Sequence, residues 1–188
     1  MIYIIRHGKT QMNKDNRLQG RSDIPLNEEG LEQVKQLESK LHSIEFSYVF
    51  SSPLKRAMQT AVTVAPYIKP VTDERLIEMD YGRYEGIDLR NPPDEIKHFF
   101  SDFTNNKAPQ SMEQLSEVVS RVGNFLEEIK ILKGNILIST HAIALKGALE
   151  YLTPGANGSY WSKYIGNCAI YQVENDDTGY GIPKEIVM

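Results

Sequence analysis

Apolar and polar residues follow one another in blocks whose period switches between strand-like and helical. Ile2 to Ile5 is a continuous apolar run that ends at a polar cluster, the pattern of a strand buried on both faces. Asn27 can cap a helix with Glu28 and Glu29 in its first turn and an apolar stripe of Leu31, Val34, Leu37, Leu41 and Ile44. Ser47 to Ser51 predicts a second strand. Ser52-Pro53 then reads as a cap followed by proline at the first helical position, opening a helix that runs to about Ala65. Val71 to Asp73 predicts a third, short strand.

Between Glu78 and Gln110 the periodicity is poor, and Asn91-Pro92-Pro93 and Asn105-Asn106 interrupt it around a short helix, Asp94 to Phe103. Residues 84–111 are therefore expected to form a substrate lid or excursion from the main body. Ser111-x-x-Gln114 matches a capping box, and Leu115, Val118, Val119, Val122, Phe125, Leu126 and Ile129 form a clean helical stripe. Ile136 to Ser139 predicts another buried strand, turning through Thr140-His141-Ala142 into an apolar helix, Ile143 to Leu152. A loop rich in glycine and aromatics (154–164) leads to a strand at Ala169 to Val173. Ile182 to Val187 predicts an edge strand, which offers pairing across a homodimer. Strands alternating with helices give an α/β class: a central, mostly parallel sheet flanked by helices on both faces, with right-handed crossovers.

The chain has 188 residues, close to the roughly 150 of one domain, so residues 1–188 are expected to form a single unit. Its 21 Lys and Arg against 25 Asp and Glu leave a net charge of -4, which argues against nucleic acid or anionic lipid as a partner. Any anionic ligand must then be caught by a local cluster. The lone Cys168 cannot form an intramolecular disulfide or a multi-thiolate metal site, which suits a reducing, cytoplasmic compartment. No basic leader precedes Ile2, and no apolar run approaches the ~20 residues that cross a bilayer. Asn157-Gly158-Ser159 is read as a loop turn.

In open α/β sheets, ligands bind outside the carboxyl ends of the strands. Three of those ends here carry Arg6-His7, Ser51 to Arg56 and His141. Two arginines suit phosphoryl oxygens because the planar guanidinium donates parallel hydrogen bonds and stays charged. A neutral imidazole is then the available nucleophile. The chain has no Cys-x5-Arg around Cys168, no G-x4-G-K-[ST] loop and no H-E-x-x-H, so a metal-free phosphate site without cofactor is expected.

Arg6-His7-Gly8-Lys9-Thr10, with Asn13, Leu18-Gln19-Gly20 and Pro25-Leu26-Asn27-Glu28-Glu29-Gly30, resembles the signature of the histidine phosphatase superfamily, the phosphoglycerate-mutase-like proteins. Ser51-Ser52-Pro53-Leu54-Lys55-Arg56-Ala57, with Gln59-Thr60-Ala61, is similar to its second arginine motif. Glu78-x-Asp80-Tyr81-Gly82-x-Tyr84-Glu85-Gly86 is similar to its acid motif, and Ser139-Thr140-His141 to its second histidine motif. The resemblance implies that His7 attacks phosphorus, that Arg6, Arg56 and His141 stabilise the equatorial oxygens, and that Glu78 protonates the leaving oxygen and later activates water. Asn13, the backbone near Gln19 and Gly20, and Ala142 would complete the phosphate cradle. Asp80 and Glu85 lie close enough to Glu78 in sequence to compete for the acid role.

Mutases of this family usually carry Glu-Arg-His-Tyr-Gly where this chain has Glu78-Met79-Asp80-Tyr81-Gly82, and they are longer. A carboxylate-bearing substrate would meet repulsion from Asp80 where the mutases place arginine. Ala142 also stands where glycine is common, and Gln110-Ser111 where many members have Glu-Ser. The sequence therefore resembles the small phosphatase branch, such as the α-ribazole phosphate phosphatases. It implies a histidine acid-type phosphatase acting on a small phosphorylated metabolite, with mutase-type transfer and non-catalytic phospholigand binding as the alternatives.

Overall fold

A computed structural model describes residues 1–186. Its elements in chain order are β1 (Ile2–Arg6), α1 (Gln11–Lys14), α2 (Glu28–Leu41), β2 (Phe46–Ser51), α3 (Lys55–Val64), β3 (Val71–Thr72), α4 (Asp94–Ser101), α5 (Leu115–Ile129), β4 (Asn135–Thr140), α6 (Ala142–Leu152), β5 (Ile170–Val173), β6 (Asn175–Asp176), β7 (Gly179–Tyr180) and β8 (Lys184–Ile186). Short 3₁₀ turns stand at Glu74–Leu76 and Gly82–Tyr84. One sheet has the order β3-β2-β4-β1-β5-β8, and β6 with β7 makes a separate hairpin. The first four strands are parallel, and β5 and β8 add on antiparallel.

The apolar run of β1 is explained by a sheet covered on both sides. Side chains alternate across a strand. Ile2 and Ile4 accordingly join Ile136, Ile138, Tyr171 and Val173 in the core beneath α5 and α6. Tyr3 and Ile5 join Val49, Leu137 and Ile170 in the core beneath α2 and α3. Ile4 faces Ile138 of β4 on one side and Tyr171 of β5 on the other, so β1 is central and its end opens into the sheet's crevice.

Several boundaries differ from the sequence reading for identifiable reasons. Helix α3 begins at Lys55, two residues beyond the expected proline start: Ser52 Oγ accepts the Leu54 N–H at 3.3 Å just ahead of the helix, and the Asp23 carboxylate accepts the Lys55 N–H at 2.7 Å. The capping box of α5 is Gln114 with Glu117 instead of Ser111 with Gln114. Leu31 is exposed and Ile44 follows the end of α2, so its buried stripe is Gly30, Val34, Leu37 and Leu41. Gly30 is needed for close approach, since a Cβ there would lie 2.0 Å from the Lys9 carbonyl oxygen. The expected edge strand is observed as β8, and Val187 lies outside the described residues. Phe99, Phe100 and Phe103 pack on one another and tie α4 to the core.

Candidate active site

The carboxyl ends of β1, β2 and β4 converge as the topology requires. His7 follows β1 and is pinned by its own N–H, which donates to the Thr140 carbonyl at 3.0 Å. Its ring is buried. Nδ1 lies 2.6 Å from the Gly8 carbonyl oxygen and Nε2 lies 3.2 Å from Arg56 Nε. These partners fix the tautomer: a carbonyl can only accept and a guanidinium N–H can only donate, so Nδ1 carries the proton and Nε2 the lone pair. Burial first, then the Arg56 and Arg6 charges, hold the imidazole well below its ordinary value. His7 is a neutral base whose reactive nitrogen faces a cation.

Arg56 sits in the first turn of α3 and is fully buried. Its Nη1 and Nη2 donate to the carbonyls of Ser22 and Gly20 at 2.7 and 2.6 Å. Burial lowers its pKa to about 10, opposed by Glu78, Glu85 and Asp23. Those two carbonyls are presented by a loop that Glu85 holds. The Glu85 carboxylate accepts the N–H groups of Gly20 at 2.9 Å, Arg21 at 3.3 Å and Ser22 at 3.1 Å. Gly20 is required for this approach, because a Cβ would lie 2.5 Å from the Met79 carbonyl oxygen. Both backbone groups of Gly20, expected to line the phosphate, are therefore spent on Glu85 and Arg56.

His141 caps the start of α6 and is fully buried, its ring 5.1 Å from that of His7. Its Nε2 lies 2.7 Å from Ser52 Oγ. Burial, then Arg56, His7, Arg6 and Arg121, hold its pKa well down. Arg6 ends β1 and donates to the Ile165 carbonyl. Among the described residues, four buried side-chain N and O atoms lack a hydrogen-bond partner, and three belong to this cluster: Arg6 Nε, Gln19 Nε2 and His141 Nδ1. The first two can only donate. His141 Nδ1 donates as well when the Ser52 hydroxyl donates to Nε2. Unspent donors beside two guanidinium groups are complementary to an oxyanion.

Glu78 is the buried carboxyl of the acid motif. It accepts the N–H groups of Ile143 and Ala144 at 3.1 Å each, and that of Met79 at 2.9 Å, so it rests on the first turn of α6 next to His141. The competing candidates have other duties, since Glu85 builds the loop and the half-exposed Asp80 pairs with Arg21 at 3.3 Å. Asn13 is half-buried, its Oδ1 bonded to the Thr10 N–H and Asn167 Nδ2. Ala142 opens α6 directly after His141. Asp23 and Asn167 escaped the sequence reading, and Ser52 and Thr60 entered it only as a helix cap or within the arginine motif, without a role in the site. Thr60 accepts the Gly8 N–H at 3.2 Å, and Asn167 donates to the His7 carbonyl at 3.1 Å. The periodicity of α3 places Thr60 one turn beyond Arg56, but nothing local marks Asp23 or Asn167.

Fold and site together define a class: an open α/β protein with two histidines and two arginines gathered at adjoining strand ends. Residues 2–184 match the model of the histidine phosphatase superfamily (branch 1), and the chain belongs to that family. It is 29% identical over 178 residues to the putative phosphoserine phosphatase 2 of Hydrogenobacter thermophilus, covering 92% of this chain and 88% of that one. It is 32% identical to the probable phosphoglycerate mutase GpmB of Proteus mirabilis, covering 92% and 84%. The solved structure of Bacillus stearothermophilus YhfR superposes with a TM-score of 0.86 at 27% identity, covering 96% of this chain and 94% of that one.

Proposed function

We propose that the protein is a phosphomonoesterase acting on a small phosphorylated metabolite through a phosphohistidine on His7. The observation that carries this is the locked tautomer of His7, with its Nε2 lone pair set against Arg56 and its ring 5.1 Å from that of His141, whose Nδ1 is buried without a partner. The Nε2 lone pair forms the N–P bond as the P–O ester bond breaks, and the leaving oxygen takes a proton from Glu78. The Gly8 carbonyl, accepting from Nδ1–H, stabilises the positive charge that grows on the ring. Water then attacks phosphorus, its proton passes to the Glu78 carboxylate, and the N–P bond breaks to return neutral His7 and phosphate. The phosphatase and mutase names among the relatives are both compatible with this first half-reaction. Phosphatase is favoured because the loop that follows Glu78 offers Asp80 where mutases carry a basic pair. The excursion at 84–111 is read as the lid over this site, and residues 1–188 as one domain.

Hydrolysis of p-nitrophenyl phosphate in the presence of chelator tests the reading. Wild type should release phosphate, and His7→Ala should lose at least about 10³-fold in kcat/KM, the cost of removing a covalent nucleophile. Acid-labile, alkali-stable phosphoprotein should be trapped from wild type only. Turnover that survives in His7→Ala would sink the phosphohistidine, and conversion of 3-phosphoglycerate to its 2-isomer with little release would favour the mutase.

A further inference from the structure

Beyond the phosphoryl pocket, one buried cation has no role in the proposed reaction. Lys146 lies on α6, four residues after Ala142 and so one turn further along the same face. It is 8% exposed. Its Nζ donates to the Trp161 carbonyl at 2.6 Å and stands 5.4 Å from the centre of the Phe103 ring. An ammonium has three N–H donors, and among the described residues that carbonyl is its one hydrogen-bond acceptor and no carboxylate pairs with it. Burial pushes its pKa down to about 8, opposed by the negative charge of Glu78. A cation stripped of water and incompletely paired costs stability. Its neighbours on α6 are Leu145, Gly147 and Leu149, all apolar or small and buried, so the helix needs no ammonium there for packing.

Its surroundings show which end of a substrate it would meet. Glu78 rests on the backbone of Ile143 and Ala144, in the first turn of α6, and Lys146 follows directly after. Phe103 belongs to the excursion and Trp161 to the loop before β5, and neither segment supplies the His7, Arg56 and His141 cluster. The far end of that loop is drawn to the pocket by Arg6, which donates to Ile165. Lys146 is thus a buried cation that feels the charges of both Glu78 and Arg6, set between Phe103 of the excursion and Trp161 of the loop before β5. Asp80, expected to repel a carboxylate, is paired with Arg21 and lies across from Glu113 in the same cluster.

We infer that Lys146 is a specificity residue that receives a carboxylate borne by the departing alcohol. The inference rests on the phosphatase reading above and names the substrate class of that site. Matched pairs that differ at the carboxylate test it: O-phosphoserine against phosphoethanolamine, and 3-phosphoglycerate against glycerol 3-phosphate. Wild type should favour the carboxylate member of each pair by at least tenfold in kcat/KM. Lys146→Met, similar in length and without charge, should cut that preference at least tenfold, whatever its absolute turnover, and Lys146→Arg should keep most of it. The wild-type preference is read without any variant, so a misfolded Lys146→Met does not remove the test. A wild type that hydrolyses p-nitrophenyl phosphate but shows less than twofold preference overturns the inference alone. Equal losses on both members of a pair overturn it too, by moving Lys146 to the phosphoryl end, and a wild type silent on every phosphomonoester overturns both readings.

Discussion

The two ends of the crevice are built in opposite ways. At the end proposed to hold the phosphoryl group, His7 and Arg56 are buried and held from several directions. His7 is fixed by Gly8, Arg56 and Thr140, and Arg56 by Gly20 and Ser22, which Glu85 holds in turn. At the other end, the flanking segments are the excursion and the loop before β5, where Tyr164 is 85% exposed and Lys146 is a buried charge beside Trp161. Preorganised donors cost no reorganisation when charge moves to phosphorus, whereas looser walls can be rebuilt for another alcohol without touching the chemistry. Changes at the first end should therefore lower turnover of every substrate alike, and changes at the second should reorder substrates.

The largest break in that contrast is expected from Arg56→Met. Losing one preorganised donor of an oxyanion site costs about 10²–10³ in kcat, and this arginine also touches the nucleophile. The loss should be the same within about threefold for O-phosphoserine, phosphoethanolamine and p-nitrophenyl phosphate. A loss that depended strongly on the alcohol would place Arg56 in leaving-group recognition and dissolve the division between the two ends.

Next in size is a stability effect confined to the phosphoryl end. His7 and His141 are held neutral by burial and by the arginines, while in the unfolded chain each titrates near 6.5. As pH falls below about 6.5 the unfolded state takes up protons that the folded state refuses. Stability is therefore intact above that pH and declines below it, by up to about 1.4 kcal/mol per pH unit for each histidine, until the folded-state values are reached. Carboxylates of ordinary unfolded pKa, about 4, contribute little between pH 6.5 and 5. Chemical denaturation at pH 7, 6 and 5 checks the slope, which His141→Gln should roughly halve. A flat profile would mean that both rings take up protons in the folded protein at the same pH as in the unfolded chain.

Legibility in the sequence divides along the same line. β1 and α5 announced themselves because one period of apolar residues accounts for both burial and boundaries. His7, Arg56 and His141 were legible because strand ends in a parallel sheet share one rim, so residues far apart in sequence fall together by topology alone. What stayed hidden were contacts that no local pattern encodes: Asp23 capping a helix 32 positions away, and Glu85 holding a loop 65 positions before it. Ser52 read as a cap, and its hydroxyl oxygen does accept the Leu54 N–H, but it also meets His141 Nε2, a partner that no local signal encodes. Lys146 lay within a helix whose apolar pattern says core, and a lone lysine in such a pattern reads as solvated until the packing shows it buried.

The smallest effect expected is also the sharpest test of how the phosphoryl end is held. Glu85 touches no reacting group in the proposed mechanism, so it is a positioning residue acting through the 20–22 loop on Arg56. Glu85→Gln keeps the shape but turns half of the acceptor fork into a donor, facing the N–H groups of Gly20, Arg21 and Ser22. Losing one or two charge-assisted bonds at the loop should cost about 1.4 kcal/mol, or about tenfold in kcat, with the carboxylate preference unchanged. A merely structural role would add its cost to that of Arg56→Met. A positioning role predicts instead that the double variant is barely slower than Arg56→Met alone, because there is then no guanidinium left to position. Full additivity in that cycle would remove Glu85 from the machinery and leave the Gly20 and Ser22 carbonyls to orient Arg56 on their own.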